Sequence, residues 1–198
     1  MESVVTTIDL IRHGEPLGGV RIRGSKDDPL SDTGWRQMWQ AVGRSAPWEL
    51  IVASPLIRCA EFARRLGQRL GIPVIEEPDF REIGFGIWEG SDPKKLYADN
   101  PQAIGNFWAD PLAHPPPGGE PLTEFESRVV RAFQAAIETH QGKHLLMVAH
   151  GGVIRMAIAH VLGMPPANIF RMEVPYAALS RIRVEEGIAR LSFHCGTL

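Results

Sequence analysis

Two histidines, each followed by glycine, close two apolar runs: Val4 to Ile11 leads into Arg12-His13-Gly14, and His144 to Ala149 leads into His150-Gly151-Gly152. A neutral imidazole is a competent nucleophile near pH 7. Its attack on a phosphate ester gives a phosphohistidine, which water then hydrolyses. The transferring group carries charge on its three equatorial oxygens, so catalysis is mostly positioning and charge stabilisation. Arginine suits that task, because its planar fork of donors stays charged. His13 is the expected nucleophile, with Arg12 and Arg58 as the phosphate-binding arginines. His150 is expected to add a further donor, protonated beside the phosphate. The glycine after each histidine lets the backbone approach closely, and Gly151 is counted with the phosphate binders. The leaving alkoxide needs a proton, and Glu82 is the expected general acid and later the base for water. Glu89 and Glu15 are its competitors.

The elements that must position these groups follow from periodicity. The run Val4 to Ile11 reads as a buried strand, as do Leu50 to Ala53, Pro73 to Ile75 and His144 to Ala149. Trp35, Met38, Trp39 and Val42 sit at helical spacing over 33–44. Ser54, followed by Pro55, is expected to cap a helix whose apolar face runs from Leu56 to Leu70. Thr123 and Glu126 form a capping-box pattern before Phe125, Val129, Phe133 and Ile137. A further helix carries Ile154, Ala157, Ile158 and Val161. Leu179 to Val184 and Ile188 to Phe193 flank Glu185-Glu186-Gly187 and are expected to form a hairpin. From 78 to 121 the periodicity is weak and the aromatics Phe80, Phe85, Trp88, Tyr97, Phe107 and Trp108 are dense. That segment is expected to be a lid or insertion holding a small satellite core, with Trp88 or Trp108 available to face a substrate ring.

Alternation of strands and helices to about residue 162 predicts one α/β domain over 1–198: a three-layer α/β/α sandwich around a mostly parallel, mixed sheet. Ligands of such sheets sit beyond the carboxyl ends of the strands. The two His-Gly ends and the strand end before Ser54 and Arg58 should therefore meet at one edge.

Composition narrows the partners. The chain has 198 residues, 44% apolar and 22% charged, with a formal net charge of −2. Nothing global attracts nucleic acid or an anionic membrane, so an anion site must be built locally. Cys59 and Cys195 match no zinc or redox spacing and are expected as reduced thiols. The first residues carry no basic n-region or long apolar stretch, so a cytoplasmic location is expected. His140 and His144 are four apart, but Gly142 and the start of a strand separate them, so no metal pair is expected. Gly142-Lys143 lacks the rest of a phosphate loop.

The string Ile8-Asp9-Leu10-Ile11-Arg12-His13-Gly14-Glu15 resembles the signature of the histidine phosphatase superfamily, the phosphoglycerate mutase-like fold. Further matches come in the family's order: Asp28-Pro29-Leu30 with Gly34 and Gln37; Ser54 to Arg58; Glu82 to Gly90; and Val148 to Gly152. The resemblance implies nucleophile His13, phosphate binders Arg12, Arg58 and His150, proton donor Glu82, and no metal or other cofactor. Its members include mutases, which are typically longer; the compact chain favours a phosphatase acting on a small-molecule phosphate monoester. Within the phosphatases, the Trp108 region and Gly118-Gly119-Glu120 are similar to α-ribazole phosphatases of cobalamin assembly. A mutase and a non-catalytic phosphate-binding module are the alternatives. Departures from the pattern are Pro16, Gly19 and Phe62; Gly19 stands where many members have a phosphate-contacting Asn. The nearby loop carries Arg21, Arg23 and Lys26, and Arg23 is expected to replace the Asn in part as an anion contact. The C-terminal strands offer an edge for a homodimer.

Overall fold

The computed structural model describes residues 4–43 and 46–197. Its centre is a six-stranded sheet in the order β3-β2-β4-β1-β5-β6. The strands are β1 (Val5–Arg12), β2 (Leu50–Ala53), β3 (Val74–Glu76), β4 (His144–Ala149), β5 (Leu179–Glu185) and β6 (Ile188–Gly196). β3, β2, β4 and β1 run parallel, whereas β5 and β6 are antiparallel, which makes the sheet mixed. The left-handed Glu186 and Gly187 (φ 51 and 74) turn the chain between β5 and β6, and β6 forms the sheet edge.

The alternation along each strand sends side chains to two separate cores. Ile8, Leu10, Val52, Leu145 and Met147 pack with Phe125, Val129 and Phe133 of α5 (Leu122–Thr139) and Val153, Ile154 and Ala157 of α6 (Gly151–Leu162). Ile11, Ile51, Leu146 and Val148 face the other way, onto Met38 and Val42 of α1 (Asp32–Val42) and Cys59, Phe62 and Leu66 of α2 (Ile57–Leu70). The three-layer expectation therefore describes the fold, and near-continuous burial of β4 is what a strand covered on both faces requires.

Three local expectations are corrected. Ser54 is not the N-cap of α2: the helix starts at Ile57 behind Leu56, and the Ser54 hydroxyl accepts from the Leu56 N–H at 3.3 Å and bonds His150 at 2.7 Å. The Thr123–Glu126 box is not used either. α5 already begins at Leu122 with Pro121 at its cap, and no side chain caps it. Proline lacks an N–H and has its φ preset, so it opens the helix before Thr123 can. The segment 78–121 is also more regular than its periodicity suggests. Asp92-Pro93 and Asn100-Pro101 start two short helices, α3 (Pro93–Asp99) and α4 (Pro101–Ala109), each too brief to show a clear repeat. Trp88, Leu96, Ile104 and Phe107 form a satellite core against Ile22, Phe85 and Phe170, while Tyr97 and Trp108 stay exposed.

One buried charge ties three strands together. The Asp9 carboxylate on β1 accepts from Trp48 Nε1 (2.8 Å), His144 Nε2 (3.0 Å) and Arg181 Nε and Nη2 (2.7 and 3.0 Å). Burial pushes its pKa up, but the hydrogen bonds from His144, Arg181 and Trp48 outweigh that and the net shift is downward from 3.8. A depressed folded-state value means stability that is present above the unfolded value and disappears as pH falls through the folded one. Asp9→Asn should thus cost about 3 kcal/mol at pH 7 in urea unfolding, near the low end for a broken buried pair because Arg181 still reaches water. The gap to the parent should narrow as the pH is taken below 3.8. An equal gap at pH 7 and pH 2.5 would show that the carboxylate's charge is immaterial.

Candidate functional site

Parallel pairing of β1 with β4 brings the two His-Gly ends together. Arg12 stands in register with Ala149, and His13 donates its backbone N–H to the Ala149 carbonyl at 2.9 Å. The His13 and His150 rings are 5.2 Å apart, edge to face. β2 lies on the other side of β4, and Ser54 N–H donates to Val148 O at 3.0 Å. That places the first turn of α2, with Arg58, at the same edge. His13, Arg58 and His150 are all buried.

His13 is held in one tautomer. Its Nδ1 lies 2.7 Å from the Gly14 carbonyl. A carbonyl only accepts, so Nδ1 carries the proton and Nε2 keeps its lone pair. Burial, then the charges of Arg58 and Arg12, hold the imidazole well below its usual pKa of 6.5. The result is a neutral ring at neutral pH, which is the nucleophilic form.

Both guanidiniums are anchored by carbonyls, not carboxylates. Arg58 donates through Nη1 to Lys26 O (2.8 Å) and through Nη2 to Gly24 O (3.0 Å). Arg12 donates through Nη1 to Val174 O (2.6 Å). Among the described residues, Arg12 Nε and Arg58 Nε are buried side-chain atoms without a hydrogen-bond partner. An unsatisfied buried donor is costly, and tetrahedral anion oxygens are acceptors suited to both.

The expectation of a protonated His150 is corrected. Burial and the charges of Arg58, His13 and Arg12 keep its pKa well below 6.5. Its Nε2 lies 2.7 Å from the Ser54 hydroxyl, and Cys59 Sγ sits 3.7 Å from the same nitrogen. A neutral His150 still has one ring N–H to give.

The glycines serve tighter contacts than the sequence implies. A Cβ on Gly14 would meet Gly34 O at 2.3 Å, so this glycine lets the loop after β1 touch the start of α1. On Gly151 it would lie 3.0 Å from Arg155 Nη1 and 3.5 Å from Arg12 Nε, so both arginines converge on that backbone.

Glu82 reaches this edge from the segment after β3. Its Oε2 accepts from Gly152 N–H at 3.1 Å in the first turn of α6, and its charge acts on Arg12 and Arg155. The two competing carboxyls are engaged elsewhere. Glu89 accepts from the N–H groups of Ser25, Lys26 and Phe85 and from the Ser25 hydroxyl. Glu15 accepts from the Ser31 hydroxyl. Arg23 is also differently placed from expectation. Its Nε pairs with Asp28 (2.7 Å), and Nη1 and Nη2 donate to Gly19 O and Leu17 O (2.7 Å each). It braces the loop at 17–28, because a glycine at 19 has no side chain to do so; its charge still acts on His13.

Three contributors escaped the sequence reading. Arg155 donates Nε to Met172 O at 2.8 Å. Ser54 bonds His150. Tyr176 covers Arg12. Arg155 sits four residues after Gly151 on α6, a helical spacing that could have flagged it; Tyr176 follows no periodic signal. A surface hollow of about 720 Å³ between α5, α6 and the β5–β6 turn includes none of these residues. Among the described residues no group of three or more His, Cys, Asp or Glu could hold a metal ion, and no helix is long and apolar enough to cross a membrane.

The profile of the histidine phosphatase superfamily, branch 1, matches residues 8–195. The chain belongs to that superfamily. Among curated histidine phosphatase relatives is the adenosylcobalamin/alpha-ribazole phosphatase of Salmonella typhimurium, 29% identical over 186 residues and 92% of each chain. The chain spans about half the length (49%) of the first curated relatives it matches. Bacillus stearothermophilus YhfR superposes with a TM-score of 0.86 at 26% identity, over 98% of each chain. A mycobacterial glucosyl-3-phosphoglycerate phosphatase gives 0.85 at 27% identity, over 98% of this chain and 100% of its own.

The loop that carries Glu82 is clamped by Arg128 of α5. Arg128 forms a two-point pair with Glu120 (2.6 and 2.8 Å) and donates to the carbonyls of Asp79, Arg81 and Glu82. Glu120 in turn accepts from Gly84 N–H. Arg128→Ala should lower kcat about 10- to 100-fold by letting the carboxyl drift by an ångström or so, with inhibition by inorganic phosphate nearly unchanged. Weakened phosphate inhibition at constant kcat would place Arg128 on the anion side of the site instead.

Proposed function

We propose that this chain is a metal-independent phosphatase that hydrolyses a small-molecule phosphate monoester through a phosphohistidine on His13. The observation that carries the reading is a neutral, single-tautomer imidazole in the field of two guanidiniums whose buried Nε donors lack partners. In the proposed reaction, Arg12, Arg58 and His150 bind the phosphoryl oxygens. His13 Nε2 attacks phosphorus in line with the ester oxygen, the P–O bond breaks, and the departing alkoxide takes a proton from Glu82. Water then attacks the phosphohistidine, gives its proton back to Glu82 and releases phosphate and free His13. Arg23 acts by field and by loop bracing.

For the substrate we propose a phosphorylated sugar or nucleoside-like alcohol, with α-ribazole 5′-phosphate first among those to try. Support comes from similarity along nearly the whole length to the Salmonella relative, and from the exposed Trp108 and Tyr97 on the segment between β3 and α5, which offer faces for a ring.

Turnover of p-nitrophenyl phosphate should survive excess chelator and fall at least 1,000-fold in His13→Ala, about the scale of losing an essential nucleophile. Full loss on chelation, or undiminished turnover in the variant, would refute the mechanism. Conversion of phosphoglycerate isomers only with a bisphosphate primer would favour the mutase alternative, and phosphate binding without turnover across a monoester panel the binding module. The pH profile follows from the His13 shift. Its pKa is lowered, so the nucleophile stays deprotonated as pH falls past 6.5. The acidic limb of kcat/KM that belongs to His13 should therefore lie below pH 6.5, and a limb at or above 6.5 tied to His13 would contradict the burial argument.

A further inference from the structure

We propose that Tyr176 is a positioning residue for the phosphate site: its ring face holds the Arg12 guanidinium in place without using any of its hydrogen-bond donors. This rests on the phosphatase reading above and adds to it a residue outside the matched motifs. The Arg12 Cζ lies 4.3 Å from the Tyr176 ring centroid, and the same ring is 5.8 Å from the His13 imidazole. The chain before β5 wraps the pair. Val174 O accepts from Arg12 Nη1 at 2.6 Å, and Ala177 N–H points at the carbonyls of Arg12 and His13 (3.1 and 3.3 Å).

The backbone is strained where it delivers the ring. Ala177 has φ 56, a left-handed conformation that a residue with a Cβ adopts at a cost. Such strain persists when the surroundings over-determine it, and it gathers at functional sites. Here the surroundings are tied to two neighbouring elements. Met172 O is held by Arg155 Nε, and Glu173 O by His194 Nε2 at 2.8 Å, so the two residues before Val174 are pinned from α6 and β6.

The chemistry explains why an aromatic ring serves here. A carboxylate beside Arg12 would accept its N–H groups and compete with phosphate for them. An aromatic face attracts the cation through its quadrupole and accepts none of its in-plane donors. Nη1 is fixed by a carbonyl, one face is covered by Tyr176, and Nε remains buried without a partner near Gly151. The fork is thereby immobilised with a donor in reserve for the anion.

A series at position 176 separates the ring's electrostatics from its bulk. Phenylalanine and progressively fluorinated phenylalanines keep the shape while draining the ring face of electron density. Inhibition by inorganic phosphate and the kcat and KM for p-nitrophenyl phosphate are read for each, with circular dichroism as the check on folding. Tyr176→Phe should stay within about twofold of the parent, and phosphate inhibition should weaken step by step with fluorination. The trifluorinated ring and Tyr176→Leu should be about tenfold weaker, within the range of a cation–π contact. A flat fluorine series overturns the proposal, as does a Phe variant as impaired as Leu, which would hand the role to the hydroxyl. A merely structural role would leave the isosteric series flat. If the leucine variant does not fold, the isosteric series decides alone. A parent protein with neither turnover nor phosphate inhibition would overturn the phosphatase reading as well, and is seen before any variant is made.

Discussion

Two guanidiniums that each keep a buried, unpartnered Nε and no carboxylate partner among the described residues are an unusual thing for a fold to maintain. A buried charge is ordinarily paired or neutralised, and here Arg12 and Arg58 are instead suspended from backbone carbonyls, among the described residues. Carbonyls fix the direction of each fork and leave its charge largely uncancelled. Burial first, and then the field that results, keeps two neighbouring imidazoles neutral. In the proposed reaction a phosphoryl group would supply the missing negative charge, and the same arrangement that is costly for the free protein would become favourable as charge develops on the equatorial oxygens.

The surrounding elements can be read as consequences. Carbonyls can be aimed inward only if the loops that carry them are tied down elsewhere. Glu89 gathers the N–H groups of Ser25, Lys26 and Phe85, so the carbonyls of Gly24 and Lys26 are free to face Arg58. Arg23 and Asp28 close the preceding loop. Arg128 and Glu120 do the same for the segment that bears Glu82. Glu89, Asp28 and Glu120 thus stabilise loops, whereas Glu82 is set against the first turn of α6, where the proposed proton exchange with a leaving oxygen would occur.

Much of this was legible in the sequence. Strand runs ending in His13 and His150 imply adjacency once a parallel sheet is accepted, and the β1–β4 register places them side by side. The two-core architecture follows from the uninterrupted apolar run of Leu145 to Ala149. What sequence could not supply is the direction of long side chains. Arg23 was a reasonable stand-in for an absent Asn, yet its fork closes on Asp28, Gly19 and Leu17. Ser54 looked like a cap because Pro55 follows it, but the hydrogen bond to His150 comes from a strand far away in the chain. His150 was given a charge by analogy with an occupied phosphate site, whereas burial beside two arginines decides otherwise in the free protein. Tyr176 and Ala177 carry no periodic or motif signal; their placement depends on tertiary anchors at Met172 and Glu173.

The proposed covalent chemistry at the His13 ring nitrogen can be caught directly. The enzyme is mixed with a phosphorus-labelled monoester, quenched in alkali within milliseconds and digested, and the labelled peptide is sequenced by mass spectrometry. The expected result is an acid-labile, alkali-stable phosphoryl group on His13, formed at least as fast as turnover. A label carried by any other side chain under the same conditions would contradict the account.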